Sequence, residues 1–244
     1  ANAPKSVSVL FAVGDDFVRQ EALTSHDAAV SAMIRWIETH AHTRFRINGE
    51  VAVVDAEGIV AATFRQHTSR ALDPHLHTHV VVANRVRSPD GRWLALDART
   101  LKLDQRTLSA IYHATLRTEL TARLGVHWEP VVNGIAEING IDKTVLEEFS
   151  SRTDDVARRL DEKLDRFIDT FDRDPTPRER WRLEREAVID SRPPKSHDVN
   201  AGSLHPGWIK RVEELGHAPD RLIARATGRQ RGQNLDQVTV EQLI

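Results

Sequence analysis

Apolar positions change their period several times along this chain, and each change predicts an element. Val7 to Val13 alternates with Ser6 and Ser8 and then runs apolar, which reads as a buried β-strand. Ala29, Met33, Trp36 and Ile37 recur at helical spacing, predicting a helix from a cap at Thr24 or Ser25 to about Thr43. Val51–Asp55 and Ile59–Phe64 read as two strands of one hairpin, joined by Ala56-Glu57-Gly58. His77 to Val86 is rich in β-branched residues and predicts a further strand. The Pro89-Asp90-Gly91 turn then brings Trp93–Leu96 back as its partner. Leu108, Ile111, Tyr112, Leu116, Leu120 and Leu124 form one stripe of a helix from about Gln105 to Leu124, stopped by Gly125. Val126–Glu129 and Gly134–Ile138 read as one more hairpin.

After Gly140 the pattern becomes helical and charged. Val145, Phe149, Val156, Leu160, Leu164 and Phe167 mark the buried side of a helix over Lys143–Phe171, and Pro175-Thr176-Pro177 breaks it. A second helix covers Arg178–Ser191, Pro193-Pro194 breaks again, and Trp208–Leu215 is a short third. The class is therefore α+β: an antiparallel sheet with helices over residues 1–140, a helical C-terminal appendage over 141–226, and a flexible linker over 227–244, where Gly, Arg, Gln and Asn dominate.

Composition narrows the chemistry. The 244 residues suffice for a substantial core, and no apolar run approaches the ~20 residues of a membrane span, so no membrane insertion is expected. With no cysteine, disulfide frameworks, thiol nucleophiles and thiolate metal sites are excluded, which fits a cytoplasmic protein. The formal charge of −2 hides an uneven distribution: Val60–Lys102 holds seven Lys/Arg against three Asp, whereas Asp142–Asp190 holds eleven against fifteen Asp/Glu. A polyanion is drawn to the first of these segments.

That basic segment also carries the candidate chemistry. His67, His75, His77 and His79 fall within thirteen residues. On a strand, His77 and His79 share a face about 7 Å apart. Two imidazoles so placed hold a divalent ion with a third ligand from the neighbouring strand, which ends Phe64-Arg65-Gln66-His67. His75, just after Pro74, sits ahead of the strand and is left out of the ligand set. Such an ion leaves open positions that polarise a phosphate oxygen. Phosphodiester cleavage also needs an attacking oxygen, and the single tyrosine, Tyr112, lies in the apolar stripe of a helix. Lys5, Arg65, Arg70 and Arg85 are the basic side chains placed to meet DNA.

Ala3-Pro4-Lys5-Ser6-Val7-Ser8, then Phe64-x-x-x-Thr68-Ser69-Arg70, Asp73-Pro74-x-Leu76-His77-Thr78-His79 with Asn84, Asp90-Gly91-x-Trp93, and Tyr112-x-x-x-Leu116-x-x-x-Leu120 with Leu124-Gly125 resemble the MobF-type conjugative relaxases, the TrwC/TraI group of the HUH endonucleases. The resemblance runs over about residues 1–215 and implies a palm-like antiparallel sheet flanked by helices, with helical fingers around single-stranded DNA. It implies metal-dependent, strand-specific nicking and rejoining of DNA at a plasmid transfer origin through a phosphotyrosyl intermediate, with relaxosome and conjugation proteins as partners. It also implies a Mg, Mn or Zn ion held by three histidines. The third of these falls at Gln66, so the expected set is Gln66, His77 and His79, with His67 the alternative. The family's nucleophilic tyrosine is expected upstream of the Ala-Pro-Lys-Ser motif, leaving no catalytic nucleophile in these residues and the chain alone inactive in cleavage. The alternatives are a metal-stabilised single-stranded DNA-binding module without catalysis and a rolling-circle replication initiator.

Overall fold

A computed structural model describes residues 1–47, 49–192 and 201–228. Its helices are α1 (Lys5–Val13), α2 (Asp16–Thr39), α3 (Ala98–Leu103), α4 (Gln105–Leu124), α5 (Lys143–Glu148), α6 (Ser151–Phe171), α7 (Pro177–Asp190), α8 (Ala201–Glu214) and α9 (Pro219–Thr227). The strands are β1 (His42–Ile47), β2 (Glu50–Asp55), β3 (Ala61–Thr68), β4 (Pro74–Val82), β5 (Val86–Arg87) and β6 (Trp93–Leu94). They pair antiparallel as β1–β2, β3–β4 and β5–β6. The α+β class with antiparallel strands holds; the predicted single sheet is three short two-stranded ones.

The segment read as a first strand is a helix. Every residue of α1 from Ser6 to Val13 is buried, because α2, β4, α5, α8 and α9 all touch it. A helix enclosed on all sides loses its polar face, so its sequence carries no 3.6-residue signal. The serines that imitated strand alternation have partners of their own. The Ser6 Oγ accepts from the Ile138 N–H at 2.8 Å, and the Ser8 Oγ accepts from the Leu76 N–H at 3.0 Å. At Gly14 the chain turns from α1 into α2 so tightly that a Cβ would lie 2.7 Å from both the Leu10 carbonyl oxygen and Val18 Cγ1. The α2 helix then begins well before Thr24, because Asp15 caps it by accepting from the Val18 N–H.

The strand partners also differ from expectation. The segment Val51–Asp55 pairs back onto β1, not onto Ile59–Phe64, and β3 pairs with β4. Trp93–Leu94 pairs with Val86–Arg87. The last expected hairpin is present as isolated bridges, Trp128↔Ile138 and Val132↔Ile135. The predicted helix over Lys143–Phe171 is broken at Phe149–Ser150 into α5 and α6. Val145 and Phe149 are fully buried, but α6 has no buried residue, so Val156, Leu160, Leu164 and Phe167 lie outside the core. α4 matches its prediction, and Gly125 ends it in the left-handed conformation at φ 66°.

One hydrophobic core unites α1, α2, α4 and Leu76 of β4 with Val145 and Phe149, with Trp208 and Val212 of α8, and with Leu222, Ile223 and Ala226 of α9. The α6–α7 pair packs mainly on itself, with Lys163 bridging Glu186 and Asp190. Pro193-Pro194 and the expected linker from residue 229 onward lie outside the described residues.

Candidate metal centre and basic cleft

β4 carries the site because both its edges are occupied near the histidines. On one side it pairs with β3, Phe64 opposite His79 and Gln66 opposite His77. On the other side the Ala3 N–H donates to the Leu76 carbonyl at 3.0 Å and the Thr78 N–H donates to the Ala1 carbonyl at 2.9 Å, with Asn2 bridging His77. Leu76 and Thr78 face the core and are buried. By strand alternation His77 and His79 face away from it.

The third-ligand candidates separate on this geometry. Cross-strand partners in an antiparallel pair share a face, so Gln66 lies beside His77. His67 occupies the core-facing position, its ring 5.0 Å from that of Phe11 in α1. The His67 Nε2 atom is buried without a hydrogen-bond partner among the described residues. The register slips here: Thr68 pairs with Pro74, so the single residue His67 opposes both His75 and Leu76. That bulge sits within β4, not ahead of it. His75 is consequently a strand residue, contrary to the sequence reading, and its ring stands 4.5 Å from that of His77. The His77 and His79 rings are 5.1 Å apart. Among the described residues no three His, Asp or Glu side chains already meet at one point; the imidazoles are strung along the strand.

Two of these imidazoles, His75 and His77, are held toward the neutral form. Burial first, and then the neighbouring His77, lowers His75 to about 4. Burial lowers His77 against the opposing pull of its bond to the His75 carbonyl. That bond, at 2.8 Å, engages Nδ1 as donor and leaves the Nε2 lone pair available. The donor set (two imidazoles on one face with an amide oxygen across from them) fits a divalent ion.

Below the strand, His26 is completely buried between the Tyr112 hydroxyl at 2.7 Å and the Thr78 hydroxyl at 2.7 Å. Burial lowers His26 to about 3, and burial raises Tyr112, whose ring is sealed in the core as its helical position implied. At the strand's turn, Asp73 is buried and receives Arg211 Nη1 of α8 at 3.0 Å. The same guanidinium reaches Glu148 and lies 4.5 Å over the Phe149 ring. The Trp208 indole N–H donates to the Leu72 carbonyl at 2.9 Å, where Leu72 holds φ 63°. Helix α8 thus fastens the β3–β4 turn. None of these partners is legible in sequence, since each pair is more than fifty positions apart.

A cleft of about 1020 Å³ opens over this face. Its rim includes Arg65 and Arg70 from the β3 side, Arg152 from α6 and Arg192 after α7, with Gln66, His75, His77 and His79 on its wall. Arg65 pairs with Asp27, and Lys5 donates to the Phe149 carbonyl at 2.7 Å while also reaching the cleft. Arg85 is exposed and lies outside the cleft lining. Arg152 escaped the sequence reading because it belongs to the Asp142–Asp190 stretch, whose net charge is negative, and Arg192 follows two residues after that stretch.

Fold and cleft together define an α+β domain of the relaxase class, with a histidine-bearing hairpin beneath helical walls. Residues 1–215 match the TrwC relaxase family, and the chain belongs to that family. It is 30% identical over 225 residues to the multifunctional conjugation protein TraI of Escherichia coli, and 28% identical to the TraI of strain K12; both alignments cover 88% of this chain. The chain spans 11% of the length of these curated relatives. Among solved structures, conjugative relaxase TrwC in complex with OriT DNA matches with a TM-score of 0.73 at 31% identity, covering 88% of this chain and 72% of that one. A copper-bound TrwC–OriT complex matches with a TM-score of 0.74 at 30% identity, covering 90% and 70%. No described helix is long and apolar enough to cross a membrane.

Proposed function

We propose that this chain is the metal- and DNA-binding part of a conjugative relaxase that nicks and rejoins single-stranded DNA at a plasmid transfer origin, in the cytoplasm and alongside other conjugation proteins. The observation that carries this reading is the outward face of β4, where His77 and His79 stand beside Gln66 at the floor of a basic cleft. The relatives support it: TrwC is known bound to OriT DNA and in metal-bound form. Gln66, His77 and His79 would hold the ion, and His67, turned toward Phe11, would not. A bound divalent ion there supplies polarisation of the scissile phosphate. The metal is Mg, Mn or Zn in this reading.

The chain's own residues do the rest. Arg65, Arg70, Arg152 and Arg192 attract and orient phosphates along the cleft, and α6–α7 forms the finger that closes over the strand. Of the earlier basic candidates, Lys5 contributes at the cleft edge and Arg85 meets DNA beyond it. Tyr112, buried and bonded to His26, is unable to attack a phosphate. A phosphotyrosyl route therefore draws its tyrosine from outside these 244 residues.

The test uses a relaxase polypeptide that contains this chain together with a reactive tyrosine, labelled single-stranded origin DNA, and Mg²⁺ or Mn²⁺. A covalent protein–DNA adduct should form, and it should vanish in His77→Ala while DNA binding persists. Adduct formation that is indifferent to His77 and His79 would refute the reading. The burial of Tyr112 favours a second reading for the 244 residues by themselves: salt-sensitive, metal-stabilised binding of single-stranded DNA without cleavage.

A further inference from the structure

We infer that the outer face of α7, the side turned away from α6, is a second track for single-stranded DNA, on which Trp181 stacks a base and a row of arginines holds the phosphates of the strand leaving the cleft. This rests on the DNA-binding reading above and adds to it a surface outside the cleft.

α7 packs on α6, and Ala187 is buried where the two helices meet. At 3.6 residues per turn, Arg178, Arg185 and Ile189 lie within about 20° of the point opposite Ala187, and Trp181 and Arg182 within about 60°. The row continues past the helix end to Arg192. Charge is sorted around the helix. Its acidic residues are committed elsewhere: Glu179 to Arg173, Glu184 to Arg180, and both Glu186 and Asp190 to Lys163. Among the described residues no carboxylate pairs with Arg178, Arg182, Arg185 or Arg192. The helix carries four Arg against four Asp/Glu, so this segregation is invisible in its net charge.

The same face exposes apolar surface. Trp181 is 57% exposed and Ile189 58%. The Arg185 guanidinium lies 4.9 Å over the Trp181 ring, which steadies an indole that still faces solvent. Guanidinium groups interleaved with an exposed aromatic ring suit a single strand, whose phosphates and unpaired bases alternate along its length. A membrane-surface helix instead separates its apolar face from its basic one, and here the two are mixed. Continuity with the cleft fixes the occupant: Val188 and Arg192 line the cleft and also belong to this side of α7. From Arg178 to Ile189 the row extends about 16 Å.

Fluorescence anisotropy of the 244-residue chain with oligo(dT) across a salt series tests the track. Trp181→Ala changes no charge and should weaken binding by about 5–150-fold, the range of one lost base stack, while Trp181→Phe keeps most of the affinity. The triple variant Arg178→Ala, Arg182→Ala, Arg185→Ala should reduce the slope of log K against log salt by about 2. Wild-type affinity in Trp181→Ala, or an unchanged slope in the triple variant, overturns the inference; weakened binding in Arg152→Ala would then leave the cleft standing. Sedimentation with phosphatidylserine vesicles that depends on Trp181 while oligo(dT) affinity does not would overturn it in favour of a membrane surface. Failure of the wild type to bind oligo(dT) at all would overturn cleft and track together.

Discussion

At the level of single residues, the most consequential partners were invisible in the sequence. The i, i+2 spacing of His77 and His79 predicted their common face, and the structure puts both on it. Gln66 and His67 are neighbours in sequence, and only the register of β3 against β4 separates them, one toward His77 and one toward Phe11. His26 offered no sequence signal, because its partners are 52 and 86 positions away. Its folded-state pKa of about 3 lies below the ordinary 6.5, so the unfolded chain binds the extra proton. The stabilisation from neutral His26 is full above pH 6.5 and is lost as pH falls toward 3. Thermal melts of the wild type should show this decline, and His26→Gln should flatten it in that window; an unchanged slope would remove His26 from the account. Asp73 is likewise committed to Arg211. Arg211→Ala leaves a buried carboxylate unpaired and should destabilise by about 3 kcal/mol, the low end for a buried pair because the guanidinium is partly exposed. Urea unfolding measures it.

Elements were legible wherever one side faces water. α4 shows both a stripe and a stop, and its limits follow from them. α1 shows neither, since it is enclosed, and an apolar β-branched run with two serines imitates a strand. Its entry into α2 depends on Gly14, where the backbone φ of −66° is ordinary and the constraint is space alone. Gly14→Ala should therefore cost about 1–3 kcal/mol through overpacking, read as a lower denaturation midpoint with an unchanged m-value. α6 illustrates the opposite error. Its apolar positions repeat correctly and yet none is buried, because the helix leans on α7 and on the cleft, not on the core.

For the molecule as a whole, the sequence showed where charge is concentrated but not how folding redistributes it. Arg152 leaves an acidic stretch of chain to join a basic rim, so counting charge along the sequence understates the cleft. If Arg152 contacts a DNA phosphate, Arg152→Ala should weaken binding to single strands of any sequence and reduce the slope of log K against log salt by about 0.7. Fluorescence anisotropy across a salt series checks this, and a weaker complex with an unaltered slope would assign Arg152 a non-ionic role.

The bond between Arg211 and Asp73 joins residues 138 positions apart, and that between Trp208 and Leu72 spans 136. During synthesis the hairpin bearing the histidines therefore emerges from the ribosome long before the helix that clamps its bend. A nascent chain halted short of α8 has β4 paired on both edges but leaves the bend between β3 and β4 without its clamp, until translation supplies the fastening.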